Sequence, residues 1–375
     1  MGDCMRLKAE WERQRAILLA FPHQHSDWDH YLIEAQICFI NIIKTITQFQ
    51  DVIICMHPDD KQGLALLEQA FCDAPPSLAR FSRFSQISLR GLQAMESLQL
   101  NDRILLVGIE TNDTWARDFG AISLEDAHGS DNGNNSKTSE IVLLDFIFNG
   151  WGNKFDSTQD NQITQKLHNL NILKGKLISL PFVLEGGSID TNGKGVLLTN
   201  TQCLLEPHRN PQFTQDTIQE FLIQNLGISQ VLWLDYGFLE GDDTDSHIDT
   251  LARFISEDTI AYISCDDKND LHYEALKKME EQLQALKSSD NKPYNLIKLP
   301  FTSPIFYQNK RLPASYANFL FINDALLVPT YNDKNDKLAL SILSKACPNH
   351  QVIGIDCSVL IRQHGSLHCV TMQLY

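Results

Sequence analysis

Cys369 stands in the run LHCVT of a 375-residue chain. A thiolate is the strongest nucleophile a side chain offers without a metal, but it needs a base or a charge partner. If LHCVT is a strand, neighbouring side chains point to opposite faces, so His368 turns away from Cys369 and the base must come from elsewhere. The stretch GDDTDSHIDTLARF supplies a candidate. His247 and Asp249 lie two residues apart; if extended, they share one face while Ile248 turns to the core. A further acid stands in NDTWARDFGAIS, where Trp115, Arg117 and Asp118 come just before an apolar run. A salt-bridged turn would explain that cluster, and so would a pocket for a flat cation. Glu185 in LEGGSID precedes Gly186 and Gly187, and paired glycines weaken a strand unless a ligand or another backbone comes close. Asn318 is the odd polar residue of ASYANFLFIN.

Each signal also has a plain explanation. Cys369 could be a structural cysteine, and Glu185 a surface residue on a β-bulge. Asn318 could be a buried, fully bonded amide. Asp242, Asp243 and Asp245 could be turn residues of a solvated loop around His247. Histidine and aspartate also bind metals, but no convincing set of further ligands accompanies them, and no metal site is expected.

Strand-like and helix-like runs alternate around these positions. DVIICMH, RILLVGI, EIVLLDF, GVLLT, QVLWLDY and DTIAYIS are short apolar runs bounded by turn residues. Helical periodicity lies between several of them. SDWDHYLIEAQICFINIIKTITQF opens on a candidate cap, Ser26, and places Leu32, Ala35, Phe39 and Ile43 on one face. DKQGLALLEQAF, NPQFTQDTIQEFLIQNL and KNDLHYEALKKMEEQLQALKSS follow the same pattern, with Asn210 before Pro211 as a helix start. Residues 125–140 are rich in Gly, Asn and Ser and are expected to form a surface loop insertion between strands. No linker composition divides the chain, so a single α/β domain over residues 1–375 is expected. Asp118, Glu185, His247, Asn318 and Cys369 recur every 51 to 71 residues. That rhythm suggests a repeated ββαβ unit delivering one strand end at a time to a common centre.

A net charge of −16 argues against nucleic acid and anionic membrane as partners, since both need a basic footprint. No run approaches the ~20 apolar residues of a membrane helix, and the first residues carry charges where a secretory leader would be apolar. Gly2 is not followed by a myristoylation pattern, because Arg6 stands where Ser or Thr is needed. Nine cysteines without a Cys-x-x-Cys pair suit a reducing cytoplasm.

Taken together, EWERQRAILLAFP, NDTWARDFGA, DFIFNGWGNKF, LEGGSID with LLTNTQCLLEPHRNP, GDDTDSHIDTLARF, ASYANFLFIN and HCVT span nearly the whole chain in order. In this the sequence resembles the agmatine deiminase and Porphyromonas-type peptidylarginine deiminase family, guanidino-group-modifying proteins of the pentein superfamily. The resemblance implies a five-bladed α/β propeller of ββαβ units with pseudo-five-fold symmetry, and hydrolysis of a guanidinium without a cofactor. It implies Cys369 as nucleophile, His247 as general acid and base, and Asp118 and Asp249 as the carboxylates that grip the substrate. Trp115, Asp243, Glu185 and Asn318 join them as substrate-contacting residues, Asp243 facing a distal amine. Two stretches depart from the family pattern: RQHGSLHC replaces a glycine-rich run before the cysteine, and Asp245-Ser246 replaces Asn-Gly.

The chemistry suits these residue types. A guanidinium is planar, carries five N–H donors and keeps its charge, so two carboxylates can fix its plane and leave its carbon open. Free arginine would need a cation near its carboxylate, and the motifs supply acids instead; Arg117 is expected to be scaffold. The expected substrate is therefore a small cation, agmatine, giving N-carbamoylputrescine and ammonia. Peptidyl or free arginine is the alternative, and a non-catalytic polyamine- or guanidine-binding protein lies beyond it. A homo-oligomer is compatible with the sequence.

Overall fold

The computed structural model describes residues 5–71, 92–126 and 141–375. Among them, one arrangement occurs five times. An entry strand pairs antiparallel with a second strand, a helix follows, and a third strand returns parallel to the second. The first complete copy runs Ile122–Asp126, Ile141–Ile147, helix Ile163–Asn169 and Lys176–Val183. The next uses Ile189–Thr191, Val196–Asn200, helix Gln215–Leu226 and Gln230–Leu234. Another uses Ala252–Ser256, Thr259–Ile263, helix Tyr273–Ala285 and Asn295–Leu299. A further copy uses Leu320–Ile322, Ala325–Thr330, helix Asp336–Ala346 and Gln351–Asp356. The remaining copy is assembled from both ends of the sequence. Its entry strand Met372–Leu374 pairs with Ala16–Ala20, which runs through helix Leu32–Ile46 to Asp51–Met56. Ile104–Gly108 and Ser97–Asn101 widen that sheet, and Met5–Leu7 adds to the edge of the first copy.

The second strand of each copy lies between two neighbours and under a helix, so it is apolar on both faces. Ala16–Ala20 and Val196–Asn200 are buried throughout. The helices bury one stripe: Ile218, Leu222 and Leu226 in one, Leu276, Met279 and Leu283 in another. One connected cluster of buried apolar side chains extends from Leu7 to Leu374.

Local details differ from the sequence-based expectations. The helix after Asn210 begins at Gln215, where Thr214 and Thr217 form a reciprocal cap. Asn210 instead holds the Val183 backbone, accepting from its N–H at 3.0 Å and donating to its carbonyl at 2.8 Å. Ser26 does not cap the helix at Leu32; its hydroxyl donates to the His23 carbonyl, and a 3-10 turn over Asp29–Tyr31 intervenes. Most of the expected surface loop at 125–140 lies outside the described residues; Glu125 and Asp126 end a strand.

Candidate active site

The five recurrent polar positions fall in the same place in each copy, the short turn just before the entry strand. Asp118 lies in the helical turn Ala116–Phe119 and Glu185 caps the 3-10 turn Gly186–Ser188. His247 caps the 3-10 turn Ile248–Thr250, which holds Asp249. Asn318 precedes Leu320, and Cys369 precedes Met372 in a turn of its own. None of these stretches is extended. Strand alternation therefore does not orient His247, Asp249 and His368; tight turns set the directions of these side chains.

The turns converge on a cavity of about 410 Å³ whose lining includes Trp115, Asp118, Trp151, His247, Asp249 and Cys369. The Asp118 carboxylate accepts from the Trp151 indole N–H at 2.9 Å and from the Gly187 backbone N–H at 2.9 Å. Its Oδ1 lies 3.7 Å from His247 Nδ1. Asp249 Oδ2 meets His368 Nδ1 at 2.7 Å, and the other ring nitrogen of His368 reaches Glu10 at 2.6 Å. Asp249 Oδ1 is buried with no protein partner among the described residues, an acceptor open to a ligand. Asn318 donates to Cys369 Sγ at 3.3 Å and accepts from the His368 backbone N–H at 2.9 Å, which fixes the cysteine turn. Trp115 anchors its indole N–H on Asp113 at 3.0 Å.

The pair Gly186-Gly187 answers two close approaches. A side-chain carbon on Gly186 would lie 2.2 Å from the Arg117 carbonyl oxygen. One on Gly187 would lie 2.6 Å from His247 Nδ1, 2.9 Å from Asp118 Oδ1 and 3.1 Å from Asp249 Oδ2. Gly187 is thus the clearance between three polar groups.

Charge shapes the site. Burial, helped by Asp249 and Glu185, pushes the Asp118 carboxyl up to about 6 against the pull of His247. Burial works against a charged His247, yet Asp118, Cys203 and Glu185 raise the imidazole to about 10. Because burial keeps the Cys203 thiol up as well, Asp118 and Glu185 are the anions that sustain the imidazolium near neutrality. Burial and the charges of Asp249 and Asp118 push the Cys369 thiol well above its usual range. Burial opposes ionisation of Asp249, but the His368 bond and the neighbouring positive charges, His247 and Arg253 among them, together outweigh it and hold the carboxyl low.

Among the residues named from sequence, Cys369, His247, Asp249, Asp118, Trp115 and Asp243 line the cavity. Glu185 does not: it sits behind His247, 4.0 Å from Nε2, fully buried, with both oxygens on the Arg209 guanidinium at 2.9 and 3.0 Å. Asn318 also stays behind the cysteine rather than on the cavity wall. Ligand atoms of Glu185, Cys203 and His247 come within 4.8 Å of one another, but Arg209 already holds Glu185 in place of a cation. Arg117 is scaffold: buried, with Nη1 3.3 Å from Glu10 and its backbone N–H on the Cys369 carbonyl at 3.1 Å. The departure at Asp245-Ser246 keeps left-handed geometry, with φ of 65° and 69°. Asp245 there bridges Lys154 and Arg209 at 2.7 Å each.

Sequence reasoning missed Trp151, Glu10, Gly187 as a spacer, and the bonded role of His368. Trp151 carried a visible signal, since it stands between two glycines. Its φ of 56° is rare for a bulky residue and aims the indole at Asp118.

Among the described residues, eight aspartates line the cavity and no lysine or arginine does. Asp118, Asp160 and Asp249 are buried, Asp113, Asp242 and Asp243 half-buried, and Asp27 and Asp156 exposed. Such a cavity receives cations.

The profile of the family described as Porphyromonas-type peptidyl-arginine deiminase matches residues 6–374. A crystal structure assigned provisionally as a peptidyl-arginine deiminase is 48% identical, with a TM-score of 0.86, covering 100% of this chain and 99% of that one. The structure of C. jejuni agmatine deiminase with substrate bound is 39% identical, with a TM-score of 0.80, covering 99% and 96%. The agmatine deiminase of Medicago truncatula is 27% identical over 98% of this chain and 95% of its own length.

Proposed function

The chain belongs to the Porphyromonas-type peptidyl-arginine deiminase family, and from that premise we propose that it hydrolyses agmatine to N-carbamoylputrescine and ammonia. The observation that carries the substrate is the cavity lining, which among the described residues has eight aspartates and no lysine or arginine. A dication is welcome there, whereas the carboxylate of free arginine would meet like charge. The relatives named agmatine deiminase support the same choice.

Asp118 and Asp249 clamp the guanidinium, Trp115 flanks it, and Asp243 faces the distal amine. The bound cation offsets the two carboxylates that raise the Cys369 thiol, so in the complex the thiol gives its proton to solvent and becomes the thiolate. Sulfur attacks the central carbon and forms a tetrahedral adduct. His247 gives its proton to the departing nitrogen, the C–N bond breaks and ammonia leaves. A covalent amidino-cysteine remains. His247 then takes a proton from water, which attacks the same carbon; the C–S bond breaks, and the ureido product and the thiol are released. Glu185 acts through His247, and Asn318 through the cysteine turn. In this reading the five repeats are blades of a five-bladed pentein propeller. We place this single-domain hydrolase in the cytoplasm; among the described residues no helix is long and apolar enough to cross a membrane.

Ammonia release measured on agmatine, arginine, a benzoyl-arginine amide and a short arginine peptide tests the proposal. Agmatine is expected to lead by a wide margin. Release from the peptide alone would assign a peptidyl substrate, and no release from any would leave a binding protein. Asp243→Asn should raise KM for agmatine far more than for butylguanidine, which lacks the amine; equal effects reject the tail role.

The pH profile is a second check. Asp118 must be ionised to hold the cation, and its carboxyl sits near 6 in the empty site. Thus kcat/KM, which rises with pH while the free Cys369 thiol must lose its proton, should fall more steeply below about 6 as Asp118 is protonated, and fall above about 10 as His247 loses its proton. A profile with no steepening below pH 6 removes Asp118 from substrate binding.

A further inference from the structure

We propose that His364 is a specificity-determining residue, whose Nε2 forms with Asp243 a two-acceptor seat for a primary ammonium group. This rests on the deiminase reading above and extends it to the far end of the substrate. His364 is one of the residues, with Gln363 and Ser366, that stand in place of the family's glycine-rich run before the cysteine. It follows the 3-10 turn Leu360–Gln363 with φ +67° and ψ −1°, a left-handed conformation that suits glycine and strains a histidine. The ring is nevertheless pinned: Nδ1 lies 2.5 Å from the Gly241 carbonyl oxygen. A carbonyl only accepts, so Nδ1 carries the hydrogen and in the neutral ring Nε2 is a bare acceptor.

That acceptor lies 3.8 Å from Asp243 Oδ2, and both residues line the cavity that holds Cys369. Two acceptors so close are best served by a group that donates to both. A primary ammonium has three N–H donors and a positive charge. Burial pushes the Asp243 carboxyl up, and Asp242 adds to this against the opposing pull of His364, Lys154 and Lys310, so that the net shift is upward and a further cation at this point relieves the carboxylate. The next residue fixes the height of the seat. Gly365 packs against the six-membered ring of Trp115, where a side-chain carbon would lie 2.1 Å from a ring atom. The loop that carries His364 is therefore seated on the wall beside the guanidinium clamp. A trimethylammonium tail keeps the charge but has no donor for Nε2, and an α-carboxylate would face Asp243 with like charge.

The test compares agmatine, butylguanidine and trimethylammonio-agmatine on the wild type and on His364→Gly, a change the backbone conformation favours. The ratio of kcat/KM for agmatine to that for butylguanidine should fall about tenfold in the variant, carried by KM for agmatine rather than kcat, as loss of a hydrogen bond to a charged group predicts. The same ratio for the trimethylated tail should not move. An agmatine ratio that is unchanged, or that rises because the ring had been plugging Asp243, overturns the proposal, as does an equal fall for the trimethylated tail. Failure of the deiminase reading shows separately, as a wild type that releases no ammonia from any guanidine.

Discussion

Cys369→Ser is expected to yield a folded protein that binds guanidinium but has lost ammonia release by on the order of 10⁴-fold or more. The site raises the thiol by burial and by two carboxylates, and relies on the substrate's own charge to free the thiolate. That compensation suffices for a thiol. It does not suffice for a hydroxyl, whose proton is held far more tightly, and the proposed chemistry brings no metal to help. Folding should be little affected, because a serine hydroxyl can bond to the Asn318 and Asp249 groups that now surround the sulfur. Calorimetry should show agmatine bound without turnover. Acid quench of the wild type during turnover should trap an amidino adduct that the variant lacks. Ammonia release near the wild-type rate from Cys369→Ser would dismantle the covalent scheme.

Gly187→Ala should cost activity about 10²-fold or more, since misplacement of catalytic groups by about 1 Å has that effect. The added carbon meets His247, Asp118 and Asp249 together, at 2.6 to 3.1 Å. All three are buried, so none can simply swing away into solvent. The clamp opens and the acid/base group shifts, although no catalytic residue has been altered. Overpacking of this kind lowers stability by about 1–3 kcal/mol, leaving a folded protein on which kcat and KM can be measured. Gly186→Ala makes the contrast. Its added carbon strikes backbone, the Arg117 carbonyl at 2.2 Å, so the turn itself must move and stability should suffer more. Wild-type kinetics from Gly187→Ala would show that the three polar groups tolerate being pushed apart.

Periodicity made the strands visible because the second strand of each copy is buried on both sides; GVLLT and EIVLLDF needed no tertiary information. The spacing of the polar positions was equally legible, since each copy spends a similar length of chain between one turn and the next. The turns themselves were not. HIDT and LHCVT have the composition of strands, and only the packing of neighbouring copies bends them into tight turns. His368 shows the consequence. Alternation along a strand turned it away from Cys369, and it does avoid the sulfur, but only because Asp249 and Glu10 take its two nitrogens. Glu185 and Asn318 were found as special without a position being assigned. Whether a carboxylate faces a ligand or an Arg209 guanidinium depends on contacts between distant segments, which local sequence does not encode.

The sheet that joins Met372–Leu374 to Ala16–Ala20 has a bearing on biosynthesis. Ala16–Ala20 emerges from the ribosome long before the strand that covers its outer edge, with the cysteine turn attached. At roughly 5–20 residues per second, that edge waits unpaired for tens of seconds. An apolar strand with an open edge invites pairing with other chains, so the newborn protein passes through a vulnerable period that the finished one never revisits. Asp118, His247 and Asp249 are made before Cys369, so the cavity gains its thiol only when the Met372–Leu374 strand pairs with Ala16–Ala20.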